Sequence, residues 1–437
     1  MNNRKIAFHF YNDGIPDVDF ANVEDGNPGV GGTVFLAVLI PKLLAKRGVV
    51  SVKLLVNKEC NNIEGVDCEV CGDVLGALNY CRNHKDIDAI VIDCKRINTK
   101  TIKQFSDVNI IVWANNFIKL SLLREMANCS NIVRIVNVGR EQYDLYRDMK
   151  VFRKSTYIFN AFPLNNILHY RKNSTSVSKR KHHVVYVGSI TPLKGMHLLA
   201  KAWPQVLKVV PDAELFIIGG GNLYRRKEEL GKWGIASKSY ESKFMPYLTK
   251  DGLILPSVHF LGVMGIEKFD VISKCKVGVP NPSGYTETFG YTAIEMQAMG
   301  CWVTTRRCPG YLDTVYDDSA LYDNVEDLAK FIVKYLLSNE DQPKAVMDWI
   351  RDQFDNDVLA EEWERLLNSD FRTDADVYPV KQENSNYRGK KLKEWIRVNV
   401  PDCLKCLLIP IDFFYPSLNG LNLISKIYNG FMRRIGF

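Results

Sequence analysis

The chain has 437 residues, more than one ordinary core accommodates, so two domains are expected. Hydrophobic residues make up 46% and charged residues 24%, which excludes a disordered or fibrous chain. The net charge is +7, but residues 381–437 alone hold ten Lys/Arg against four Asp/Glu. The rest is nearly neutral and shows no basic stripe, so a nucleic-acid partner is not expected.

Short apolar runs alternate with helix-length amphipathic stretches from the start. KIAFHFY reads as a strand, and TVFLAVLIPKLLAKRG as a helix stopped by Gly48. VKLLVN, DAIVIDC, NIIVWAN, IVRIVNV and STYIFN follow as strands. Continuous apolar strands alternating with helices predict βαβ units and a parallel sheet. Residues 171–183, RKNSTSVSKRKHH, are polar and basic and read as a linker between residues 1–170 and a second domain at 184–370.

The pattern restarts with HVVYVG, a helix near 195–209, and the strands ELFIIGGG, VHFLG and KVGVP. A helix from about Gly290 to Met299 ends at Gly300, WVTT is a strand, and EDLAKFIVKYLLSN and AEEWERLLNS are helices. The fold class is therefore α/β, two doubly wound domains in series, with ligands expected in the cleft beyond the carboxyl ends of the strands.

The stretch 280–305, PNPSGYTETFGYTAIEMQAMGCWVTT, carries the most chemistry. KVGVP ends in a Pro/Ser/Gly turn, Glu287 lies in the loop, and Thr288, Phe289 and Gly290 open a helix. Unpaired N–H groups at a helix start suit an anion such as a diphosphate. Glu295 lies about 8 Å deeper along the axis. Two carboxylates flanking a phosphate site can each hold sugar hydroxyls without a metal. On spacing alone, Glu295 could equally be a solvated helix residue and Gly290 a packing residue.

The string Pro282-Ser283, Glu287, Thr288-Phe289-Gly290, Glu295, Met296, Ala298, Gly300, Val303 resembles the donor-site signature of the family-4 retaining glycosyltransferases. The resemblance implies a GT-B architecture, two Rossmann-like domains facing a cleft, and a nucleotide-sugar donor as substrate with no cofactor. It also implies that Glu287 meets the donor sugar and Glu295 the ribose, with Thr288, Phe289 and Gly290 at the diphosphate.

In VVYVGSITPLKG, Lys194-Gly195 begins a helix after a strand, and a lysine there is a point charge suited to a diphosphate. The resemblance makes Lys194 a catalytic and donor-binding residue beside Glu287. It also exposes a departure, because Ser189 stands where the family usually has an arginine. Either Ser189 hydrogen-bonds a phosphate or another cation substitutes. In GNPGVGGTVF, Gly31 and Gly32 let the backbone approach a ligand closely, and in the family such a pair faces the donor across the cleft. Asn115 and Asn116 stand where the family often has a histidine near the reacting sugar. They are acceptor-side candidates, able to hydrogen-bond but not to act as a base; alternatively they cap a helix. Asn160 reads as structural, and Arg140 as either a cleft or a surface residue.

Two CxxC pairs, Cys68/Cys71 and Cys403/Cys406, are present, with Cys60 and Cys81 near the first. No tight second pair completes a zinc pattern, so reduced thiols and no metal site are expected. No Asp-x-Asp metal motif occurs in a fitting context. The opening MNNRKIAFHFYNDG lacks a signal-peptide core, and no apolar run spans a bilayer, so a cytoplasmic location is expected. Residues 371–437 form a polar linker and a basic tail. From 388 onward, Lys and Arg interleave with Trp395, Phe413, Phe414, Tyr415 and Phe431. That composition suits an anionic membrane surface at the inner face of the cell membrane, or helices packing back over the domains.

These readings give a retaining, metal-independent glycosyltransferase acting on a glycan or lipid-linked acceptor, by family analogy in polysaccharide or lipopolysaccharide assembly. The alternatives are a nucleotide-sugar epimerase and a non-catalytic, membrane-bound sugar-binding protein.

Overall fold

Two parallel sheets organise the protein in the computed structural model, which describes residues 3–13, 15, 18–60, 63–147, 149–172, 175–223, 229–379 and 401. In chain order the first half forms β1 (Lys5–Phe10), α1 (Gly32–Arg47), β2 (Ser51–Val56), β3 (Asp67–Val70), β4 (Ala89–Asp93), β5 (Ile110–Ala114), β6 (Ile132–Asn137), α2 (Arg140–Asp144), β7 (Ser155–Tyr157) and α3 (Leu164–Lys172). The second half adds β8 (His183–Val187), α4 (Met196–Val209), β9 (Glu214–Ile218), β10 (Val258–Gly262), α5 (Lys268–Ile272), β11 (Val277–Gly278), α6 (Tyr291–Ala298), β12 (Trp302–Val303), α7 (Pro309–Thr314), α8 (Ala345–Phe354) and α9 (Asn356–Asn368).

The first sheet runs β3-β2-β1-β4-β5-β6-β7, and every pair is parallel. The second runs β10-β9-β8-β11-β12, again all parallel. Each order reverses once, between β1 and β4 and between β8 and β11. Crevices open at such reversals beyond the strand ends. The strands are apolar because helices cover both faces: β5 and β6 are buried at every residue.

The chain crosses between the halves twice: near 162, ahead of the linker expected at 171–183, whose first two residues end α3, and near 355. Phe162 N donates to Phe354 O at 2.7 Å, and Asn356 N donates to Phe162 O at 3.2 Å, tying the two crossings together. Asp355 then caps α9 by accepting from Asp357 N. Although it follows the second sheet in sequence, α9 packs on the first. Trp363 meets Phe8 and Trp113 at ring-centroid distances of 6.0 and 5.2 Å, and Arg47 Nε bonds Glu364 at 2.8 Å.

Residues 370–379 continue along the first domain, held largely through backbone carbonyls. Arg134 donates to Asp370 O at 2.9 Å, Arg147 to Tyr378 O at 2.8 Å and Arg140 to Pro379 O at 2.8 Å. Arg140 is thus a strap residue. The tail 388–437, with its membrane and back-packing readings, lies outside the described residues apart from Pro401, as does Cys403/Cys406. Among the described residues no helix is long and apolar enough to cross a membrane.

Candidate active site

A cavity of about 840 Å³ lies between the two sheets, at the carboxyl ends of their strands. Its walls come from both halves: the loop and helix start at 27–36, Lys95, Asn115, Asn116 and Asn160 from the first, and the loops after β8, β9 and β11 with α6 from the second. That volume suits a drug-sized or nucleotide-sized ligand.

Two backbone features build the second-domain wall. Gly195 takes φ +70, and a Cβ there would lie 2.7 Å from Ser283 N, so a side chain would push the 190s loop away from the 281–287 loop. Lys194 Nζ therefore reaches Glu287 Oε2 at 2.7 Å. Gly290 caps α6 with φ +81, and a Cβ there would sit 2.6 Å from the Tyr311 ring. The turn between them holds Thr286 at φ +57, a left-handed conformation that a non-glycine residue adopts only under constraint. Strain therefore concentrates one residue before Glu287.

Glu287 Oε2 also accepts from Asn281 Nδ2 at 2.9 Å. Burial alone would raise this carboxyl. The Lys194 charge and the hydrogen bonds from Lys194, Asn281 and the Gly290 backbone outweigh burial and hold it below the usual carboxylate range. Glu287 is thus a fixed anion beside a fixed cation at the mouth of α6.

Glu295 lies deeper in the same wall. Lys268 Nζ of α5 contacts its Oε1 at 2.6 Å, and both side chains are nearly sealed, at 6% and 2% exposed. The other oxygen, Oε2, is buried and without a hydrogen-bond partner among the described residues. Ser189 lines the cavity and is 3% exposed. Gly32 lines it too, with nothing within 4 Å of where a Cβ would be, whereas Gly31 caps α1 and is not part of the lining. The Phe289 ring packs among Phe159, Tyr291 and Phe354, so it is anchored in the core while the residue borders the cavity.

The opposite wall is the first domain. Thr288 Oγ1 donates across the cleft to Asn115 O at 2.9 Å, so this hydroxyl latches the two domains together. Asn115 Nδ2 donates to Asp93 Oδ2 at 3.2 Å, and burial raises the Asp93 carboxyl. Asn116 presents a buried Nδ2 and Asn160 a buried Oδ1, neither with a hydrogen-bond partner among the described residues; both residues border the cavity. Neither Asn115 nor Asn116 caps the next helix, whose N-cap is Lys119.

The sequence brought Glu287, Lys194, Glu295, Ser189, Thr288, Gly290, Asn115 and Asn116 to this one cavity. It missed Lys268, Asp93, Asn281 and Thr286. Lys268 falls in a helix of five residues with no sequence signal, and Asn160 passed as structural. Cys68, Cys71 and Cys81 are free thiols, and burial pushes Cys68 up to about 11 and Cys81 up to about 12. Among the described residues no group of three or more His, Cys, Asp or Glu side chains could hold a metal ion.

The architecture and its cleft define the GT-B fold. Solved structures agree across nearly the whole described chain. HepE of Anabaena, solved with UDP and glucose, superposes with a TM-score of 0.57 at 16% identity, covering 84% of this chain and 99% of its own. The sucrose-phosphate synthase of Thermosynechococcus elongatus gives 0.59 at 16% identity, covering 83% and 98%. A glycosyltransferase of Rickettsia africae gives 0.59 at 12% identity, covering 84% and 100%. No curated protein sequence matches the chain. Residues 181–338, within the second half of this GT-B protein, match the family described as Glycosyl transferases group 1.

Proposed function

We propose that the protein transfers a sugar from a nucleoside-diphosphate sugar to a glycan or lipid-linked acceptor, with retention at the anomeric carbon and without a metal. The observation that carries this reading is the Lys194–Glu287 pair at the mouth of α6, in a cavity both domains line. UDP is the nucleotide favoured, because HepE, of the same fold, binds UDP-glucose.

On this reading the second domain holds the donor and the first the acceptor. The diphosphate lies against Ser189, Lys194 and the backbone N–H groups at Thr288, Phe289 and Gly290. The sugar hydroxyls meet Glu287, the ribose meets Glu295, and Gly32 closes over the donor from the other side. Fixed donors aimed at the leaving diphosphate stabilise the negative charge that builds there, which is the service a metal performs elsewhere. The acceptor hydroxyl, held by Asn115 and Asn116, attacks from the face the diphosphate leaves. The bond from the anomeric carbon to the phosphate oxygen breaks, and that oxygen takes the hydroxyl proton. An amide in place of an imidazole is compatible with such a step, since no protein base is needed.

Purified protein incubated with UDP-sugars separates the readings. Release of UDP, with the sugar on an acceptor or on water, supports transfer. An isomerised donor replaces it with epimerisation, and an unchanged donor in every case leaves a binding protein.

A further inference from the structure

The reading above gives Glu295 to the ribose but does not account for Lys268. Its ammonium lies 2.6 Å from Glu295 Oε1, and its side chain is 6% exposed. It is also 5.3 Å from the centre of the Phe269 ring. A lysine so enclosed loses solvation that only a fixed anion replaces. The anion is itself 2% exposed and has one oxygen left over, Oε2, unpartnered at a cavity it borders. A buried polar atom without a partner is costly unless a ligand supplies one.

We infer that Lys268 is a positioning residue for the nucleotide half of the donor site: it clamps one oxygen of Glu295 so that the other is presented as a single, fixed acceptor for a ribose hydroxyl. This rests on the donor reading of the cavity. Two physical consequences follow. The clamp removes the carboxylate's rotation, so the hydroxyl is met by an oxygen already in place. The clamp also neutralises Glu295, so an anion can stand in the wall of a site that takes a doubly charged diphosphate without repelling it. Unclamped, the carboxylate would repel the diphosphate.

The test compares UDP with 2′,3′-dideoxy-UDP by calorimetry on the folded full chain. The wild type binds UDP about ten- to a hundredfold more tightly, the cost of leaving Oε2 unpaired. In Lys268→Met the ratio falls to about onefold, because the acceptor is no longer held, while Lys268→Arg retains most of it. A Lys268→Met protein that keeps the wild-type ratio overturns the clamp and leaves the donor reading standing. Equal affinities in the wild type remove the ribose contact and the clamp with it. A crystal structure of the wild type with UDP makes the test independent of how well the variant folds. Glu295 Oε1 is expected on Lys268 and Oε2 on the ribose; a carboxylate that has left Lys268 to hold two hydroxyls contradicts the inference.

Discussion

The ammonium of Lys194 lies 2.7 Å from Oε2 of Glu287, although 93 residues separate them in the chain. The contact exists because the loops after β8 and β11, at the strand-order reversal of the second sheet, converge on one point. It brings the phosphate end and the sugar end of the proposed donor site together in one ion pair.

Lys194→Ala should therefore weaken donor binding by about ten- to a hundredfold, the loss of a charged hydrogen bond. It should also lower stability by about 2 kcal/mol, since Glu287 is left mostly buried without its cation; the discount from a fully buried pair reflects the 26% exposure of Lys194. Glu287→Gln keeps the shape and should lose transfer with little loss of fold. Calorimetric titration with UDP and thermal melts check the first, and sugar transfer from a UDP-sugar together with thermal melts checks the second. Undiminished UDP affinity in Lys194→Ala removes the lysine from the site.

Gly290→Ala places a methyl 2.6 Å from the Tyr311 ring at φ +81. Strain and overpacking together should cost about 2–4 kcal/mol and disturb the turn that carries Glu287. Urea unfolding measures the loss, and a variant as stable as the wild type would mean that the turn has room to shift.

His9 offers a pH test away from the cavity. It is 6% exposed on β1. Burial, helped by the Arg96 charge and opposed by Asn57 and Asp73, lowers it from 6.5 to about 4. The fold therefore excludes a proton that the unfolded chain accepts. Stability is fully present above about pH 6.5 and is lost as pH falls toward 4, by roughly 3 kcal/mol. His9→Phe should flatten that part of the stability profile. An unchanged profile between pH 6.5 and 4 would place the acid sensitivity elsewhere.

Trp363→Ala should cost about 3–5 kcal/mol, because the ring fills the space between Phe8 and Trp113 under the first sheet. The loss should appear as early melting of the first domain, although the mutation lies in the last helix among the described residues. A loss confined to the second domain would contradict the packing of α9.

The alternating apolar runs made the two parallel sheets legible, since strands buried on both faces leave continuous signals. The motif around Glu287 was legible through its resemblance to the family-4 donor-site signature, since spacing alone left Glu295 open as a solvated helix residue. What escaped was long-range partnering. Lys268 finds Glu295 only through the fold, and a lysine in a five-residue helix looks like any solvated lysine. The return of α9 to the first sheet escaped for the same reason, because an amphipathic stretch such as AEEWERLLNS shows that it has an apolar face but not what covers it. Thr288 was read as a donor contact, and its hydroxyl turned out to span the domains to Asn115.

The most direct measurement is a crystal structure of the protein with UDP. The account predicts diphosphate oxygens within hydrogen-bond distance of Lys194 Nζ and the backbone N–H groups at the mouth of α6, with Glu287 left for the sugar. UDP bound outside the interdomain cavity, or a mouth closed to it at saturating concentration, would contradict the account.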